Sequence, residues 1–127
     1  MKAEELLRQA CALMAETEID DYRETGLIYI NMLLAETKKQ NDRMRRHDGL
    51  EPLQGYPRIE SLEDELPCQE ELAREALPWG LCAKIFFDED DNPRLSMFNE
   101  EFANRLNGCD KWQAAVAAKP TKTWFDA

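Results

Sequence analysis

His47 is the one histidine in the chain, so any Ser-His or Cys-His nucleophile would have to be built on it. It stands beside Asp48 and Gly49 in a hydrophilic stretch, and the two serines, Ser61 and Ser96, lie outside any G-x-S-x-G turn. Cys11, Cys68, Cys82 and Cys109 form no C-x-x-C pair and are far from His47 in sequence, so a zinc site is not expected. Asp88, Asp90 and Asn92 have the spacing of the first three ligands of a calcium loop. The sixth position, however, is Pro93 where the sharp turn needs Gly, and the twelfth is Asn99 where a bidentate Glu belongs. That segment reads instead as an acidic helix-helix turn. Glu63, Asp64, Glu65, Glu70, Glu71 and Glu75 could pair for proton transfer, but Glu70, Glu71 and Glu75 alternate with Arg74 and an apolar stripe, as on a solvated helix face. Glycine-rich phosphate loops are absent from the sequence. The residue types therefore nominate no catalytic, cofactor-binding or metal-binding residue, and the expectation is a protein that is not an enzyme and carries no cofactor.

The elements that would hold these residues are helical, since no stretch alternates with a period of two for long. A first helix is expected from about Ala3 to Thr17, with Leu6, Ala10, Leu13, Met14 and Thr17 on one side. Asp20 or Asp21 can cap a long second helix that carries two apolar stripes, Tyr22/Gly26/Tyr29/Leu33 and Leu27/Ile30/Leu34. Its continuation from Ala35 to Arg46 has Met44 as its one large apolar residue, so this half is expected to be solvated or to meet a partner, and it should stop before Gly49. Lys38, Lys39, Arg43, Arg45 and Arg46 cluster there, where cations favour the negative end of the helix dipole.

The stretch from Leu62 to Phe102 is expected to form the central hairpin, with Leu72, Ala76, Trp79, Ala83 and Phe86 or Phe87 on one stripe and Leu95, Phe98, Phe102 and Leu106 repeating it. Pro78 should kink or restart the first helix, Gly80 should let another helix approach, and Trp79 should anchor the core. Asn92 and Pro93 supply a cap and a first-turn proline for the second helix, which Asn107-Gly108 could end. Between the two helical blocks, residues 47–61 contain two Gly and two Pro and read as a loop-arm, with Leu50, Leu53, Tyr56 and Ile59 either tucked against the bundle or exposed to another subunit. Beyond Leu106 an Ala-rich run could extend the helix until Pro120, leaving Trp124 and Phe125 in an extended tail that should dock on something.

A chain of 127 residues with 43% apolar and 33% charged residues is long enough for one core without disulfides or metal. The fold class expected is all-α, a bundle of about four helices with a long second helix, as a single helical domain over 1–118 and an extended tail over 119–127. A net charge of −10 disfavours general binding to a phosphate backbone. Acidic residues interrupt any signal-peptide core, no apolar run reaches the ~20 residues of a membrane span, and reduced cysteines in a cytoplasm are expected.

With these residues in place, the chain resembles the helical head-tail connector or head-completion adaptors of tailed bacteriophages. The similarity lies in Ile30-Asn31-Met32-Leu33-Leu34-Ala35-Glu36, in Ser61-Leu62-Glu63-Asp64-Glu65-Leu66-Pro67, in Ala76-Leu77-Pro78-Trp79-Gly80-Leu81-Cys82-Ala83, and in Phe98-Asn99 with Phe102 after the acidic turn. The resemblance implies a virion protein, in the host cytoplasm before assembly, that binds the portal and other connector or tail proteins. It also implies self-association into a ring that extends the DNA channel and helps retain packaged DNA, which passes without sequence-specific binding. An acidic wall suits such passage. Because loops and chain termini make the contacts in such adaptors, Leu53, Tyr56, Ile59, Arg43, Arg46, Trp124 and Phe125 are the expected interface residues. The charge also supports an alternative, a cytoplasmic phage-encoded regulatory protein or DNA mimic that binds a basic partner.

Overall fold

A computed structural model describes residues 1–109 and is all-α: α1 (Ala3–Leu13), a 3₁₀ turn (Ile19–Tyr22), α2 (Arg23–Glu36), α3 (Lys38–His47), α4 (Glu70–Glu75), α5 (Leu77–Asp88) and α6 (Asn92–Cys109). The expectations for the Ala-rich run, Pro120, Trp124 and Phe125 lie outside the described residues. Extended backbone pairing is confined, among the described residues, to an isolated bridge between Lys2 and Glu65. Beside it, Ala3 N donates to Asp64 O and Glu4 N to Leu62 O, at 2.9 and 2.8 Å. These bonds satisfy first-turn N–H groups of α1 that have no partner within the helix.

α5 is the hub, packing against α6, α1, α2 and α4. Its sequence, LPWGLCAKIFFD, is apolar on nearly every side, as a helix with neighbours all round must be. Leu77, Leu81 and Ile85 meet Leu6, Leu7, Ile30, Leu33, Leu34 and Leu72 in the buried core. Gly80 sets the closeness of that packing. A Cβ there would lie 2.8 Å from Leu33 Cδ2 on α2 and 2.8 Å from Phe102 Cε1 on α6, so both helices approach through the space a side chain would fill. The alternative between Phe86 and Phe87 is settled: Phe86 is buried, its ring tilted against that of Phe98 of α6 with centres 5.1 Å apart, while Phe87 is 71% exposed.

Several boundaries differ from those expected. α1 stops at Leu13, four residues short of Thr17, because the chain reverses through Ala15 at φ 60°. There Glu16 N donates to Cys11 O and Ala15 N to Ala12 O, the paired bonds of a Schellman end. Leu13 is consequently 40% exposed, and Leu7 takes a core place. The long second helix is two helices. Thr37 N and Thr37 Oγ1 both donate to Leu33 O, at 2.9 and 2.7 Å, and the residue between α2 and α3 adopts φ −99°, ψ 10°. Such back-bonding by a threonine hydroxyl bends a helix. α3 ends before Gly49, as expected, with Gly49 at φ 81° in a second Schellman end.

Pro78 produces a restart. Ala76, at φ −121°, separates α4 from α5, and Pro78 occupies the first turn of the new helix, where its missing N–H costs nothing. Trp79 does not anchor the core. It is half-buried on the outer side of the α5–α6 hairpin, covered by the Arg105 guanidinium at 3.5 Å from its ring centre. The cap of α6 is Asp91 rather than Asn92. Its carboxylate accepts from Arg94 N at 3.3 Å, and the chain reaches it through Asp90 in the left-handed region at φ 57°. Asn107-Gly108 does not end α6, which runs through to Cys109.

Candidate interaction face

The polar half of the second helical block is solvated on one side only. Asn41, Asp42 and Met44 of α3 are buried because they hold the arm that joins α3 to α4. Asp42 Oδ1 accepts from Leu53 N at 3.0 Å, Asn41 Oδ1 from Gln69 N at 2.7 Å, and Arg45 Nε donates to Glu51 O at 2.7 Å. From α2, Asn31 makes two bonds to one residue of the arm: Nδ2 donates to Ile59 O at 3.0 Å and Oδ1 accepts from Ile59 N at 2.8 Å. A side-chain amide thus replaces the strand partner that an extended residue would otherwise need. Ile59 is buried beneath this clamp, with Leu62 and Leu66 beyond it. Asp64 Oδ2 accepts from Glu60 N and Ser61 N and fixes the turn between them.

Charge supports the clamp at Asp42. Burial works to raise its carboxyl, but the Lys38 ammonium at 2.6 Å, the Leu53 N–H and Arg45 outweigh it and hold the group below the ordinary range. It is therefore a carboxylate at neutral pH, so its bond from the Leu53 N–H is charge-assisted.

What the clamp presents is apolar. At the tip of the arm Gly55 turns at φ 67° and Tyr56 stands 75% exposed. Tyr56, Pro57 and Arg58 form one wall of a shallow cleft whose other wall is Ile28, Met32 and Ala35 of α2. Met32 is also a wall of a second groove, of about 400 Å³, completed by Tyr29, Ala83, Lys84, Phe87, Asp88, Leu95 and Asn99. Ile28, Met32 and Phe87 are 55%, 45% and 71% exposed, so the two clefts make one apolar strip from the arm tip across α2 to the α5–α6 hairpin. Single exposed apolar residues need no explanation, whereas here Ile28, Tyr56, Met32 and Phe87 line two clefts that share Met32. At its edge Lys84 Nζ bonds Glu36 Oε1 at 2.6 Å, tying α5 to α2. The Tyr29 phenol is pushed up by burial and by the Asp88 carboxylate beside it, and stays protonated.

The sequence-expected interface residues divide by place. Tyr56 is in the strip, Leu53 is half-buried with its N–H held by Asp42, and Ile59 points into the core. Arg43 is half-buried and Arg46 exposed on α3, and neither lines the two clefts; Trp124 and Phe125 lie outside the described residues. Ile28 and Met32 were not singled out as interface residues, although a signal existed. Leu27, Ile28, Tyr29, Ile30, Met32, Leu33 and Leu34 leave no polar face along the middle of α2, more apolar surface than one core can cover.

Chemistry elsewhere is sparse. His47 closes α3, exposed, at the rim of a cleft with Met44, Asp48, Gln69, Glu70 and Glu71. No cluster of three His, Cys, Asp or Glu among the described residues could hold a metal ion. The Cys68 and Cys82 thiols are pushed up to about 12 by burial, and Cys82 Sγ donates to Ala10 O at 3.3 Å. No described helix is long and apolar enough to cross a membrane. Comparison with known proteins finds no matching family model, no matching curated protein and no matching solved structure.

Proposed function

We propose that this chain is a structural virion protein, a head-tail connector that binds the portal, assembles with copies of itself into a ring and extends the DNA channel. The single observation that supports this most is the clamped arm with its apolar strip. A small domain has fixed a long loop by five side-chain bonds to backbone, from Asn31, Asn41, Asp42 and Arg45, and the held loop offers Tyr56 beside exposed Ile28, Met32 and Phe87. Fixing the loop in advance lowers the ordering cost of binding, which is what an assembly contact requires. The stretches that carry the resemblance also have structural work in the fold: Ile30, Leu33 and Leu34 of the first are core residues of α2, 61–67 covers the start of α1, and 76–83 enters the hub helix. An acidic chain at −10 suits a channel wall that DNA must pass without adhering.

The test is assembly on the portal. Native mass spectrometry of the full chain mixed with its purified portal should give a complex of many copies per portal ring, and Tyr56→Ala with Met32→Ser should reduce occupancy at least tenfold while leaving the monomer folded. A chain that stays monomeric with portal present, at concentrations above those in an infected cell, would contradict the reading.

A further inference from the structure

We propose that the basic outward face of α3, carried by Lys39, Arg43 and Arg46 with Leu50 beside it, docks on the acidic end of a second copy, formed by the 3₁₀ turn and the α5–α6 turn. The inference rests on the ring reading above and adds a pair of complementary surfaces that lie apart from the apolar strip. Residues 38–47 hold five Lys and Arg and one carboxylate in a chain whose net charge is −10. Lys39, Arg43 and Arg46 recur at intervals of four and three, on the side of α3 opposite buried Asn41 and Met44. Elsewhere cations are matched within the fold: Arg8 and Arg23 reach Glu4, Arg74 reaches Glu70 and Lys84 reaches Glu36. Among the described residues Lys39 and Arg46 are exposed and reach no carboxylate, so the complement of this face lies on another molecule.

That complement is gathered at the far end of the same fold. Residues 16–24 hold five carboxylates against one arginine, which Asp20 and Glu4 already pair, and 88–91 hold four more, of which Asp91 pairs with Arg94. The two segments meet at Tyr22, whose hydroxyl donates to Glu89 Oε2 at 3.4 Å and whose phenol is pushed up to about 12 by burial and by the Glu89 and Glu16 carboxylates. Exposed Leu13 ends α1 just before this cluster, as exposed Leu50 follows α3, so each surface sets one apolar side chain among its charges. One copy cannot join its own two faces. α6 starts at the acidic turn and runs to Cys109, about 26 Å at 1.5 Å per residue. There its last turns line a cleft with Glu71, which also lines the cleft at the end of α3. The faces therefore stand at opposite ends of one packed body, several times the ~8 Å Debye length apart at physiological salt, and meet only between copies. A contact between two different faces is heterologous, the kind that closes rings.

Sedimentation velocity of the full chain, without portal, tests this with wild type and three variants: Lys39→Glu/Arg46→Glu, Glu18→Lys/Asp21→Lys, and all four substitutions together. The four side chains are exposed, and circular dichroism checks that each variant is folded. The expected result is wild-type self-association at about 0.05 M salt that weakens at least tenfold at about 0.5 M, where the Debye length is about 4 Å. Either double variant should weaken it at least tenfold, although one makes the chain more acidic and the other less. The fourfold variant, whose net charge is again −10, should recover it, because its two faces are complementary once more. Stronger association of Glu18→Lys/Asp21→Lys would show that overall repulsion governs self-association, and would overturn the proposal. A fourfold variant no better than either double variant, or a wild type that stays monomeric at low salt, would overturn it as well. Because the assay contains no portal, these outcomes leave the connector reading to be decided by its own test.

Discussion

Three helices of this chain end in the same backbone arrangement, with the left-handed position filled by Ala15, Gly49 and Asp90 in turn. The glycine made the end of α3 legible from sequence. At Ala15 nothing in Ala-Glu-Thr announces a stop, because the conformation is imposed by packing against the rest of the molecule rather than preferred by the residue. Ala15→Gly should therefore stabilise the protein by about 0.5–1 kcal/mol in urea denaturation; a loss of stability would show that the left-handed turn is not present in solution. Asp42 carries a second expectation. Its folded-state pKa is depressed, so its contribution is present above the unfolded value near 3.9 and is lost as pH falls through the folded value. Asp42→Asn, which keeps an acceptor for Leu53 N but loses the Lys38 partner, should cost about 1.5–3 kcal/mol at pH 7. That difference from wild type should shrink below about pH 4. The buried Cys82 thiol and the half-buried Cys68 thiol, both pushed up to about 12, should react slowly with disulfide reagents until the protein unfolds. Fast native-state labelling at Cys82 would contradict its burial.

At the scale of elements, the sequence showed where helices lie better than where they bend. Pro78 declared the α4–α5 restart because proline removes a donor wherever it stands. Thr37 declared nothing, since a threonine bends a helix only when its hydroxyl turns onto the carbonyl four residues back, a choice fixed by its burial. The polar run after it was misread for a related reason. Buried Asn41 and Asp42 look like surface residues until the backbone groups of the arm they bond are in place. Replacing Asn31 by Ala leaves the Ile59 N–H and carbonyl without their partner, and should cost about 1–3 kcal/mol and speed amide exchange at Ile59. Unchanged exchange at Ile59 would show that the arm is held by other means. Gly80→Ala places a Cβ 2.8 Å from both Leu33 and Phe102 and should destabilise by about 1–3 kcal/mol, separating α5 from its neighbours. Equal melting temperatures for variant and parent would contradict that packing.

For the whole molecule, the all-α class followed from periodicity, since the apolar stripes recur at three- and four-residue spacing. The strip of Tyr56, Ile28, Met32 and Phe87 was not legible as a unit, because it joins an arm tip to three helices that only the fold brings together. Its large exposed side chains, on a chain of net charge −10, are the surface that the proposed connector contact would cover. The direct test is quantitative mass spectrometry of gradient-purified, DNA-filled particles from the source, comparing this chain's copy number with that of the portal. The account predicts a copy number that matches the portal's. Absence from intact particles, with the chain left in the soluble fraction, would contradict it.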